Sequence, residues 1–178
     1  MKEFPYVFLG DDAFGLKPYL LKPYPGQNLP LDQRVYNYRL SRARRIIENT
    51  FGIAASRFRI FRRQIIAKFD TVTQITKAVV ALHNFLMAQR SQDDPYNYCL
   101  LNYVDQEIAG KLNAGQWRKE ADNGGMLSIG RSGSNNYSGN AKEIRERFKD
   151  YFNSDEGSVS WQFDMVNRVS NYSDEQRS

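Results

Sequence analysis

The sequence predicts an α/β fold, and three observations predict it. A short apolar run, "YVFLG" at residues 6–10, ends in glycine and is followed by two aspartates, the pattern of a buried strand closing on a carboxylate. Between Gln33 and Phe51 the apolar residues Tyr36, Leu40, Ala43, Ile47 and Phe51 recur at spacings of four, three, four and four, which is one face of a helix. A second stripe of Ile75, Val79, Leu82 and Leu86 marks another amphipathic helix across residues 72–89. At 178 residues, with 41% hydrophobic and 13% aromatic residues, the chain is expected to bury one ordinary core rather than stay disordered.

The elements follow in order. Residues 6–10 form the strand. Residues 13–30 hold four prolines and two glycines, so they read as a loop with at most a short helix. Asp32 is placed to N-cap the helix over 33–51, and Gly52 to stop it. "RFRIFRR", residues 57–63, alternates basic and apolar side chains and suits an extended segment or a helix. Thr71 or Thr73 is placed to cap the helix over 72–89. Residues 1–90 and 91–178 divide the chain into a folded part and a tail. The tail is expected to be irregular and loosely packed, with a flexible Gly/Ser/Asn loop over 122–140. One helix near 141–152 closes it, with Asn140 as N-cap, Glu143 at N3, and Ile144, Phe148, Tyr151 and Phe152 along one face.

Composition narrows the function classes. The single cysteine, Cys99, excludes a disulfide framework and a four-cysteine zinc site, and it reads as a small buried apolar residue. The apolar runs are too short for a membrane span or a signal peptide, so a soluble intracellular protein is expected. The only histidine, His83, reads as a hydrogen-bonded packing residue rather than a base, and Trp117 and Trp161 as packing residues of the tail.

Charge is distributed unevenly. Residues 1–89 carry 14 Lys/Arg against 6 Asp/Glu, whereas residues 90–178 carry 11 against 14. Ten basic residues lie within 34–68, where Glu48 is the only acid. A basic block of that density suggests a surface facing a polyanion; the alternative is a solvated helix face. Arg39, Arg42, Arg44, Arg45, Arg57 and Arg59 are the candidate nucleic-acid contacts.

Glu48 closes a polar ridge of Asn37, Ser41, Arg44 and Glu48, spaced four, three and four. It is either an ion-pair partner for the arginines or a ligand for a cation held beside a phosphate backbone. Enzymes that break phosphodiester bonds with two metal ions need several converging carboxylates, and hard cations such as magnesium favour oxygen donors. Asp11 at the end of a strand and Glu48 on a helix suit that chemistry.

The stretches "YVFLGDDAFGLKPYLLKPYP", "YNYRLSRARRIIENTFGIAASRFRIF" and "ALHNFL" resemble the second half of the PIF/Harbinger transposase nuclease domain, a DDE superfamily endonuclease. "AKEIRERFKDYFNSDEGSVSWQ" is similar to the tails of animal members. The resemblance implies an RNase H-like fold and a divalent-metal nuclease (Mg2+ or Mn2+) acting on DNA in the nucleus, with a separate Myb-like DNA-binding partner. It also implies that Asp11 and Glu48, with 36 residues between them, are the second and third metal-binding carboxylates; Asp12 would leave 35. The first carboxylate of that triad belongs to an earlier strand. Only ten residues precede Asp11, so the resemblance implies the C-terminal portion of such a nuclease, inactive by itself. The other expectation is a DNA- or protein-binding remnant without catalysis.

Overall fold

The computed structural model describes residues 3–89, 98–108, 111–120 and 137–167. Its architecture is mixed: strand β1 (Phe8–Leu9), strand β2 (Leu20–Leu21), helix α1 (Leu31–Arg57), helix α2 (Phe69–Ala88), strands β3 (Gln106–Ile108) and β4 (Lys111–Asn113), and helices α3 (Trp117–Glu120) and α4 (Gly139–Asn153). Short 3-10 turns cover Arg59–Arg62 and Leu101–Tyr103. The described strands form two separate two-stranded sheets, β1 with β2 parallel and β3 with β4 antiparallel. Among the described residues no helix is long and apolar enough to cross a membrane.

The strand expected over 6–10 is reduced to Phe8–Leu9 and is not buried as expected: Phe8 is exposed and Leu9 only partly covered. Its partner, Leu20–Leu21, lies in the stretch expected to be a loop. Phe8 N–H donates to the Tyr19 carbonyl and Gly10 N–H to the Leu21 carbonyl, both at 2.8 Å. Before α1 the chain turns through Gly26 (φ 108°) and Asn28 (φ 55°), residue types that tolerate the left-handed region.

Helix α1 is longer than expected at both ends. It starts at Leu31, so Asp32 stands inside its first turn rather than at the cap; the Asp32 carboxylate meets Lys149 at 3.0 Å. It runs straight through Gly52. The helix ends instead where Arg62 reaches back, Nη2 donating to the Ser56 carbonyl at 2.7 Å and Nε to that of Ala55 at 3.4 Å. Those are carbonyls a helix end otherwise leaves without partners.

The chain divides into two compact units, Met1–Arg44 with Ile129–Ser178, and Arg45–Ser128. In the first unit α1 buries Val35, Tyr36 and Leu40, and the core joins Leu16, Leu21, Tyr24, Tyr36, Leu40 and Ala141, flanked by Ile144, Phe148 and Phe152 of α4. The rings of Tyr24 and Tyr36 meet edge to face at 5.1 Å. In the second unit α1 buries Gly52, Ile53 and Ala54, and Ile53 packs with Cys99 and Tyr103. The expected stripe held only for Tyr36 and Leu40: Ala43, Ile47 and Phe51 are exposed.

In α2 the buried line is Val79 and His83, whereas Leu82 and Phe85 are exposed. His83 Nδ1 lies 2.9 Å from the Tyr98 hydroxyl, so the residue is a hydrogen-bonded packing group. Neither threonine caps α2: Lys68 occupies the N-cap, and Thr73 Oγ1 donates to the Phe69 carbonyl at 3.0 Å. Helix α4 is capped by Ser138, whose hydroxyl accepts from Ala141 N–H at 3.2 Å, and Asn140 is already helical. Most of the loop expected over 122–140 lies outside the described residues. The described parts of the tail are packed rather than loose, with Cys99, Tyr103, Ala141, Gln162 and Val166 all buried.

Candidate functional site

Asp11 emerges at the C-terminal end of a parallel strand pair, the place where open α/β sheets commonly hold ligands. Its Oδ1 accepts from Ala13 N–H at 3.0 Å, and Phe14 N–H donates to its carbonyl at 3.3 Å, so residues 11–14 form a closed turn. The other carboxylate oxygen stands 3.9 Å from Nη2 of Arg44. With its side chain 48% exposed, Asp11 offers solvent an oxygen held only loosely. Asp12 is held differently: its Oδ1 lies 3.0 Å from the ammonium of Lys22, which is 2% exposed.

Glu48 belongs to the second unit and is half-buried on α1. The next residue, Asn49, is anchored on three sides. Its Oδ1 accepts from Asp105 N–H at 3.0 Å and from the Trp117 indole N–H at 2.9 Å, and its Nδ2 donates to the Asp105 carbonyl at 3.3 Å. Asp105 in turn takes the Gly115 amide at 2.8 Å and a two-pronged contact from Arg118. Burial would raise the Asp105 pKa, but the Arg118 and Gly115 hydrogen bonds and the charges of Arg118 and Arg45 outweigh it and hold the carboxyl below its usual range. Arg118 is pushed up, first by its bond to Asp105 and in smaller part by the negative charge of Glu48. The Asn49 anchor therefore fixes the backbone under Glu48, and Arg118 supplies a cation that its carboxylate senses.

The structure brings Asp11 and Arg44 together within the first unit. Most of the other candidate arginines have found protein partners. Arg39 Nη1 donates to the Gly157 carbonyl at 3.1 Å and to Gln162 Oε1 at 3.0 Å, with its guanidinium 4.8 Å from the Phe152 ring centroid. Arg42 lies 4.0 Å over Trp161. Arg45 pairs with Glu107 at 2.8 Å, where the Glu107 side chain is only 7% exposed. Arg57 Nε donates to the Tyr98 carbonyl at 3.0 Å, and its guanidinium stands 4.6 Å over Tyr103. Arg59 is exposed in the 3-10 turn. A guanidinium that caps, stacks and pairs is well suited to hold one segment of chain to another.

Sequence reasoning missed Lys22, Asn49, Asp105, Glu107 and Arg118. The signal for Lys22 was a lone cation between Leu21 and Pro23 in an otherwise apolar stretch; the others are partners across long sequence separations that no local pattern announces. Carboxylate oxygens are the donors available for a hard cation, and among the described residues no group of three or more His, Cys, Asp or Glu is gathered for one.

Residues 1–84 match the family model described as DDE superfamily endonuclease, a span that includes Asp11, Lys22, Arg44 and Glu48. No curated protein and no solved structure matches the chain.

Proposed function

We propose that the chain carries the C-terminal part of a transposase-type DNA nuclease of the PIF/Harbinger kind, built on an RNase H-like fold. The observation that carries this reading is the similarity of residues 1–84 to DDE superfamily endonucleases, with Asp11 following a strand and Glu48 on the next long helix. Asp11 and Glu48 are the carboxylates that would hold magnesium or manganese, and their oxygen donors suit such ions. A bound ion of this kind would polarise the scissile phosphate and activate a water molecule. Arg44 screens the Asp11 charge, and Arg118 that of Glu48. Exposed cations such as Arg59 hold the DNA backbone by charge rather than by sequence. The family's triad has three carboxylates, and Asp11 and Glu48 supply the second and third, so weak metal binding is expected of these two alone. The arginine-rich "RLSRARR" supports a nuclear location, and a Myb-like DNA-binding protein is the partner implied.

One observation favours a second reading. Arg39, Arg42, Arg45 and Arg57 all contact the tail, which suits a DNA- or protein-binding remnant that keeps its fold without catalysis. Plasmid cleavage in magnesium separates the two, using the chain extended upstream by an Asp-bearing strand. Loss of cleavage in both Asp11→Asn and Glu48→Gln, with the fold intact, supports the nuclease. Full activity in either variant returns that residue to ion pairing, and no cleavage by the extended chain favours the remnant.

A further inference from the structure

Lys22 directly follows β2, and its ammonium is enclosed at 2% exposure. Three oxygens surround it: Asp12 Oδ1 at 3.0 Å, the Phe14 carbonyl at 3.1 Å and the Asp12 carbonyl at 3.4 Å. An ammonium has three N–H donors, so these oxygens use its whole capacity. The Tyr137 ring lies 5.5 Å from Nζ, and the Tyr36 hydroxyl donates to the Lys22 carbonyl at 3.4 Å. Both ends of the lysine are thereby fixed to the core of the first unit.

The two neighbouring aspartates are consequently held for different tasks. Asp12 compensates a buried charge, and withdrawing it would leave Lys22 without a counter-charge, which is costly in a poorly solvated site. Asp11 takes no part in that cluster. Its oxygens face the Ala13 amide and, more distantly, Arg44.

We propose that Lys22 is a positioning residue: it ties down the turn over residues 11–14 and occupies Asp12, so that Asp11 is the aspartate presented to a divalent cation. The inference rests on the metal-binding reading above, and it distinguishes two residues that sequence spacing leaves equivalent.

The experiment titrates the full chain with manganese alone, following loss of the free-ion signal by electron paramagnetic resonance, and checks folding of each variant by circular dichroism. Asp11→Asn removes a ligand and should weaken binding by at least the roughly 10- to 100-fold seen when only a ligand's outer partner is lost, whereas Asp12→Asn should leave it nearly unchanged. In Lys22→Met the released Asp12 carboxylate should join the site, so adding Asp12→Asn to that variant should now weaken binding severalfold. A lysine that merely supports the fold would not transfer the dependence from one aspartate to the other. Equal losses in Asp11→Asn and Asp12→Asn overturn this inference and leave the metal reading standing. An Asp12→Asn change without effect in the Lys22→Met background also overturns it. No manganese binding by the unsubstituted chain overturns both. Should Lys22→Met fail to fold, Lys22→Gln, which keeps a hydrogen-bond donor but removes the charge, takes its place in the same comparison, with the same outcomes.

Discussion

The indole of Trp117 lies against Gly52, in the C-terminal part of α1, so closely that a Cβ at position 52 would overlap its six-membered ring. Glycine in a helix interior costs up to about 1 kcal/mol relative to alanine. Here the missing side chain makes a seat for tryptophan, whose N–H then reaches Asn49.

Gly52→Ala should therefore destabilise the second unit despite its better helix propensity. Overpacking of this kind costs about 1–3 kcal/mol. Urea denaturation followed by tryptophan fluorescence measures the loss, and an unchanged or raised midpoint would show that Trp117 can move aside freely. In a Trp117→Ala background the Gly52→Ala change should cost little or become favourable if the clash is the cause.

Arg45 and Glu107 form an ion pair that is largely withdrawn from solvent. Arg45→Ala leaves the Glu107 carboxylate without this guanidinium and should cost about 3 kcal/mol, the lower end of the range for breaking a buried pair. Replacing both partners together by Met and Leu should cost less than either truncation alone. A double-mutant cycle in denaturant reads the coupling, and strict additivity would remove the pair from the list of stabilising contacts.

The basic block should bind DNA in a salt-dependent and largely sequence-independent manner, with unequal contributions from its arginines. Arg59→Ala should reduce the slope of log affinity against log salt by about 0.9 if that side chain neutralises one phosphate. Arg42→Ala should change the slope less and instead lower stability by about 0.5–1 kcal/mol through loss of the Trp161 contact. Fluorescence anisotropy at several salt concentrations separates the two effects. A larger slope change for Arg42 than for Arg59 would reverse this assignment.

Two residues of the second unit give it a stepped response to acid. Burial pulls the His83 pKa down, so the fold favours neutral imidazole. The associated stability is complete above the unfolded value of about 6.5 and declines as the pH falls from there towards the folded value. Asp105 is depressed below the usual carboxylate range, so its contribution persists to lower pH and is lost as the pH falls below about 4 through the folded value. Thermal melts between pH 8 and pH 3 should show both declines. His83→Gln should flatten the first and Asp105→Asn the second; identical profiles in variant and parent would assign the acid response to other groups.

How far the sequence disclosed this structure depended on the range of the interactions involved. Periodicity located α1, α2 and α4 because each repeats its apolar residues within a few turns. It failed at the ends of α1 because Arg62, Lys149 and Trp117 act there from outside the local window. It also missed β2, a strand of two leucines bounded by prolines at 18 and 23. At the candidate site, Asp11 and Glu48 were legible as motif positions. The separate commitment of Asp12 to Lys22 was not, because sequence spacing carries no information about which of two adjacent carboxylates meets a buried ammonium.

The division of the first unit between Met1–Arg44 and Ile129–Ser178 has a consequence for synthesis on the ribosome. Tyr24 contacts Glu146, and Tyr36 packs on Phe152, residues more than a hundred positions later. All of residues 45–128 must be made in between, which takes roughly 4–17 s at about 5–20 residues per second. During that interval Tyr24, Tyr36 and Leu40 have no cover from α4, whereas the contiguous second unit can already assemble. The nascent chain thus reaches a stage in which the second unit can assemble while the earlier part of the first unit waits for its partner. That interval is when a chaperone would find it.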